Sequence, residues 1–140
     1  MKRWYRRFEE INNGRQHDRS SDEYEDDVYA FFMNCIHLKD WIRNDQECQF
    51  RDKVEAYVNQ TPCLETCRQI CNSAKHLTLN QGTPSQMKSR IFEFNIGGPK
   101  HETISIRYSV EVNGEKIDAF ALASEYVQKW QEFLASGKGA

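Results

Sequence analysis

Two short stretches hold the residues best suited to chemistry. In TPCLETCRQICNSAKHLTL, residues 61–79, Arg68, Asn72, Lys75 and His76 recur at steps of four, three and one. In a helix such residues share a face. In NCIHLKDW, residues 34–41, His37, Asp40 and Trp41 stand at i, i+3 and i+4 and share another. A carboxylate one turn from an imidazole orients the ring and raises its basicity. Trp41 offers an aromatic floor for a flat ligand, while Lys75 and the two imidazoles suit an anion. Each cluster also has a plain reading. Polar residues in series on a helix usually form its solvated face, and a His–Asp pair often serves only structure.

Other chemistry is poorly supplied. Cys63, Cys67 and Cys71 lie four apart beside the polar face of the first stretch. Zinc rarely takes three ligands from one helix, and no CxxC is present, so the thiols read as small apolar residues where two helices approach closely. The start, Lys2-Arg3-Trp4-Tyr5-Arg6-Arg7, mixes basic and aromatic residues as RNA-binding segments do. The plain alternative has Trp4 and Phe8 docking a helix while the arginines stay wet. There is no Gly-rich phosphate loop, Ser nucleophile motif, HExxH or catalytic carboxylate pair. No metal and no cofactor are expected.

These residues must be positioned by elements that the apolar spacing predicts. Lys2 to Asn12 reads as a short helix with Trp4, Phe8 and Ile11 on one face, followed by a polar linker from Arg15 to Arg19. Ser20 with Glu23 has the form of a capping box, and Val28, Phe31, Phe32, Cys35, Leu38 and Ile42 trace a second helix to about Asn44. A third runs from about Glu47 to Asn59. Thr61 as N-cap and Pro62 at the first helical position open the fourth, which runs to Leu79.

After Pro84 the period changes to two. Phe92, Phe94 and Ile96 alternate, as do Ile104, Ile106, Tyr108, Val110 and Val112. Asn113-Gly114 is a strong hairpin signal, because a type I′ turn needs positive φ at both central positions. It puts Val112 opposite Glu115, Val110 opposite Ile117 and Tyr108 opposite Ala119. Ser124 to Ser136 closes the chain as a helix ended by Gly137. The fold class is therefore α+β. A helical bundle of four N-terminal helices plus a C-terminal one packs with a three-stranded antiparallel β-meander. All 140 residues read as a single domain, with helices over residues 1–80, a meander over 90–122 and a closing helix over 124–136.

The totals agree with this picture. At 140 residues, 39% hydrophobic and 29% charged, the chain has the composition of a globular protein. A net charge of -2 does not advertise nucleic acid, although residues 1–19 are rich in Lys and Arg and residues 20–34 carry acids alone. No apolar run approaches the ~20 residues that span a bilayer, so no membrane partner is expected. MKRWYRRFEE lacks the apolar region of a signal peptide, and five cysteines is an odd number. Reduced thiols and a cytoplasmic location are the expectation.

At Cys71 to His76, CNSAKH, the sequence resembles the motif of HEPN-domain proteins, helical bundles that include many metal-independent RNases. Their pattern is an Arg, a polar residue that is often Asn, three variable residues and a His within a helix. Asn72 and His76 match the polar residue and the His; Cys71 stands at the Arg position, so Arg68 or Lys75 would have to supply the charge. NCIHLKDWI and CNSAKHLTL also look like phrases of small uncharacterised bacterial helical proteins. The HEPN resemblance implies an RNase or RNA-binding protein of a bacterial defence or toxin type, and a homodimer with the motif at its interface. In that role His76 would act as general acid–base on a ribose 2′-OH, positioned by Asn72, with Arg68 or Lys75 stabilising charge on the phosphate.

A second expectation is a non-enzymatic module that binds a small molecule, an anion in particular, or a protein. Its pocket would lie between the second and fourth helices, lined by His37, Asp40, Trp41, Asn72, Lys75 and His76. Both readings expect the second and fourth helices to touch, and the imidazoles of His37 and His76 to converge within about 12 Å, the reach of a small ligand with a bridging water.

Overall fold

The structure is a computed structural model that describes residues 1–75, 85–97, 101–112 and 114–137; for residues 21, 73–75, 85–97, 101 and 102 it describes the backbone alone. Five helices and four strands follow one another as α1 (Lys2–Asn13), β1 (Arg15–Gln16), α2 (Ser21–Asn44), α3 (Val54–Gln60), α4 (Pro62–Lys75), β2 (Ser85–Gly97), β3 (His101–Val112), β4 (Glu115–Asp118) and α5 (Ala119–Ser136). The architecture is the α+β one that the change of period predicts.

α2 and α5 begin where a side chain satisfies a free N–H group. At α2 the Ser20 hydroxyl accepts from Glu23 N, and the Glu23 carboxylate accepts from Ser20 N, which completes the capping box. Burial follows the spacing: Val28, Phe31, Phe32 and Cys35 of α2 have no exposure, and Ile42 is buried. Two helix boundaries differ from expectation. α3 starts at Val54, after a 3-10 turn over Arg51–Lys53, rather than near Glu47. α4 does open at Pro62, with Thr61 O accepting from Leu64 N and Glu65 N, although the Thr61 hydroxyl turns back and donates to Tyr57 O at 2.7 Å. The last helix starts at Ala119 rather than Ser124, because the Asp118 carboxylate accepts from Ala121 N and caps it there. Tyr108 consequently has no partner at Ala119, whereas Val112 does face Glu115 and Val110 does face Ile117.

β3 is the centre of the sheet. β2 runs antiparallel along one edge, while β4 and the short β1 share the other. The pairing of Arg15 with Ile104 and Gln16 with Thr103 is the strand that the polar composition of residues 15–19 concealed. The β2–β3 register slips between Ile91 and Glu93, so Phe92 lies at a bulge and not in the alternating ladder. Before it Met87, Ser89 and Ile91 oppose Val110, Tyr108 and Ile106; after it Phe94 opposes Ile104.

One core joins sheet and bundle. Ile104, Ile106, Tyr108 and Val110 of β3 are buried with Phe8 and Ile11 of α1 and with Ala119, Leu122 and Ala123 of α5. Phe8 meets Phe120 at 5.4 Å between ring centroids and Phe31 at 5.9 Å, both steeply tilted, as aromatic quadrupoles prefer. At the other end of α5, Tyr57 stacks on Phe133 at 4.5 Å and donates to Lys129 O at 2.8 Å, which fixes α3 against α5.

The segment before α2 is held by charge. Asp27 is buried, and its two oxygens accept from Arg7 at 3.3 Å and from Arg19 at 3.0 Å. The buried Tyr24 hydroxyl accepts from Asp18 N and Arg19 N and donates to Gln16 O. Arg7 also lies over the Trp4 ring at 4.8 Å, with Arg3 at 5.4 Å. Arg15 donates to Asp18 at 2.9 Å, so Arg7, Arg15 and Arg19 are all engaged within the fold, which accounts for much of the basic character of the first residues.

A candidate ligand recess between the second and fourth helices

The expected contact between α2 and α4 is present. Small residues meet there, Cys35 of α2 with Cys67 and Cys71 of α4; these and Cys63, which neighbours Glu125 and Lys129 of α5, are buried free thiols. Burial pushes the Cys35 and Cys67 thiols well above their usual range, with neighbouring sulfurs adding to it, and raises Cys63 to about 11. Such thiols are neutral at physiological pH and are poor nucleophiles. Among the described residues no group of three or more His, Cys, Asp or Glu is arranged to hold a metal ion.

Between α2, α3, α4 and α5 a small recess opens to solvent, with about 20 Å³ of room, enough for about one water. Cys35, Ile36 and Lys39 line it from α2, and Val58 from α3. Leu64 and Arg68 of α4 and Tyr126 and Trp130 of α5 complete it. The Tyr126 hydroxyl donates to Cys35 O, tying α5 to α2. Trp130 is buried, and among the described residues its indole N–H has no acceptor at hydrogen-bonding geometry.

The two cations of the lining residues, Lys39 and Arg68, are engaged in ion pairs with residues outside the lining. Lys39 Nζ lies 3.2 Å from Glu55 Oε2 and 3.7 Å from Asp40 Oδ1, with the lysine side chain only 16% exposed. Glu55 Oε2 is buried between Lys39 and Arg43, whose Nη1 is at 3.7 Å. Arg68 grips Glu65 through two bonds, Nε–Oε2 at 2.9 Å and Nη2–Oε1 at 2.7 Å. That grip lowers the Glu65 carboxyl below the usual range and raises Arg68. The two pairs also sense each other: Glu55 favours the charged form of Arg68, and Lys39 favours that of Glu65.

The residues singled out from the sequence fall in three groups. Arg68 lines the recess. His37 and Trp41 do not; they lie on the solvent face of α2, with Trp41 60% exposed and the two rings 6.2 Å apart. Asp40, half-exposed on the same helix, meets Lys39 rather than the imidazole. Asn72 is exposed one turn beyond Arg68. His76, the side chain of Lys75, and with them the convergence of the two imidazoles, lie outside the described residues.

What the spacing missed is Lys39, Ile36, Glu55, Glu65 and the α5 pair Tyr126–Trp130. Glu65 was legible, since a carboxylate three residues before an arginine is a standard helical pair. Lys39 and Glu55 belong to different helices and carry no such signal.

Comparison of the chain with family models, with curated proteins and with solved structures finds no match to any of them. The resemblance at Cys71 to His76 therefore stands on its residues alone.

Proposed function

We propose that this protein is a non-enzymatic binding module whose ligand site is the recess between α2 and α4. The observation that supports it is an apolar slot with two half-buried cations, Lys39 and Arg68, among its lining residues. An apolar wall with a few charged groups is the usual make-up of a small-molecule site. Catalysis has less to draw on there: the thiols are neutral and buried, and the imidazole of His37 lies outside the recess. An acidic group on the ligand would meet Lys39 and Arg68. The five free cysteines suit a reducing compartment, and the cytoplasm is the location we favour. Among the described residues no helix is long and apolar enough to cross a membrane.

The test is an amide NMR titration with small organic acids, amino acids and nucleotides, repeated on Ile36→Trp to fill the slot. Saturable shifts confined to α2, α3, α4 and α5, lost in Ile36→Trp, are expected. Shifts that persist unchanged in the filled variant would refute the assignment.

A second reading is an RNase or RNA-binding protein with its active face on α4, working as a homodimer. It draws on the exposed Asn72 one turn from Arg68 and on the resemblance described above. In this reading Arg68 would exchange Glu65 for an RNA phosphate. RNA cleavage in EDTA by the wild type, abolished in His76→Ala, is expected from it. Equal background from both proteins would dispose of the nuclease, and gel retardation would then test binding alone.

A further inference from the structure

We propose that the free edge of β2 pairs with the same edge of a second copy of this chain, joining two four-stranded sheets into one. The inference is independent of the recess. β2 ends the strand order, with β3 along one edge and, among the described residues, no strand along the other. It is 13 residues long, about twice the usual strand, and no proline interrupts it. An edge of that length presents a row of backbone N–H and C=O groups as a template for another strand. Antiparallel pairing along all of it offers roughly a dozen N–H···O bonds, the number an ordinary protein interface carries.

The order of charges along β2 selects a copy of itself as the occupant. Lys88 and Arg90 before the bulge stand in register with Ser109 and Arg107; Glu93 and Asn95 after it stand with Ser105 and Thr103. Those β3 residues alternate with the buried Ile104, Ile106, Tyr108 and Val110, so all four β2 positions lie on the sheet face away from the core. On that face one half of the strand is basic and the other acidic. Antiparallel pairing about a two-fold axis brings unlike halves together. Centred on Ile91, with Phe92 the extra residue on each strand, it sets Arg90 opposite Glu93 of the second copy, and Glu93 opposite its Arg90. Unlike charges directly opposite each other stabilise a sheet and like charges destabilise it. Shifting the pairing by two residues either way would set Arg90 against itself or Glu93 against itself. The centred register also matches apolar positions on the core face, Ile91 with Ile91 and Met87 with Ile96. Lys88 and the bulge deter indiscriminate edge pairing. In this register Lys88 meets Asn95, and the two bulges fall on either side of the Ile91 pair.

The experiment is analytical ultracentrifugation of the full chain from micromolar to millimolar concentration, with amide hydrogen exchange read at both ends of that range. A reversible monomer–dimer equilibrium is expected, with exchange slowed in the dimer at amides of residues 85–97. Glu93→Arg and Arg90→Glu each set like charges opposite one another, and each is expected to weaken the dimer at least about tenfold. Combining the two exchanges the charges and is expected to restore wild-type association. A chain that stays monomeric at millimolar concentration would overturn the proposal. So would a dimer whose added protection lies on α4 or α2 instead of β2, or one that both single reversals leave as tight as the wild type. Circular dichroism checks that each variant folds; should a single reversal unfold the chain, the exchange pattern of the wild type and the association of the double variant decide.

Discussion

Replacing Asp27 by alanine is the sharpest test of how α1 and the segment before α2 are held. The carboxylate is buried with 8% of its side chain exposed, and it accepts from Arg7 at 3.3 Å and Arg19 at 3.0 Å. A hydrogen bond to a charged group contributes about 1.5–3 kcal/mol net. Removing one member of a fully buried ion pair costs about 3–5 kcal/mol, because the remaining charge is stranded. Here the stranded ions are arginines with 43% and 29% of their side chains exposed, so water recovers some of their solvation. The expected loss for Asp27→Ala is therefore about 2–3 kcal/mol, below the sum of two full charge-assisted bonds. Arg7→Ala and Arg19→Ala should each cost about 1 kcal/mol, since each leaves Asp27 one partner. The assay is urea denaturation followed by circular dichroism, with the slope against denaturant checked for constancy. A loss under about 0.5 kcal/mol for Asp27→Ala, the level of an ordinary surface substitution, would refute the argument.

Three further outcomes are expected. Glu65 has its folded pKa depressed from the ordinary 4.5 by Arg68, so its contribution to stability is complete above that value and is lost as pH falls through the lowered one. Melting temperature against pH should accordingly fall less steeply below pH ~4.5 in Glu65→Gln than in the wild type, and parallel curves would count against the pair. Of the five thiols, Cys48 alone is not buried, so native protein should show one fast equivalent with a disulfide reagent and five after unfolding; rapid reaction of two or more would contradict the packed α2–α4 contact. Ser20→Ala removes the hydroxyl that accepts from Glu23 N, and should lower stability by about 1 kcal/mol in thermal or urea melts.

Local pattern determined most of the elements. The spacing of Val28, Phe31, Phe32 and Cys35 dictates which face of α2 is buried, because burying them together is the dominant favourable term. The Asn-Gly pair at positions 113 and 114 of the sequence predicts the register in which β3 and β4 pair, since turn geometry fixes pairing within a hairpin. Ser20 and Glu23 announced the start of α2 for the same reason: the groups that satisfy each other are three residues apart.

Tertiary structure decided the rest. β1 pairs with residues almost ninety positions away, and no local period in Arg15–Gln16 foretells it. The bulge at Phe92 reverses which residues of β2 oppose the buried series of β3, and it is visible only once both strands are in place. The site shows the same division. Residue type and spacing identified Arg68 and the helices that meet, but they placed the chemistry at His37, Asp40 and Trp41, on a face that the bundle leaves to solvent. The recess is lined from four separate helices, and Lys39 meets Glu55 only because two helices bring them together. Spacing along one helix specifies which residues share a face; which neighbour that face meets depends on how all the helices pack, and that is a property of the whole chain.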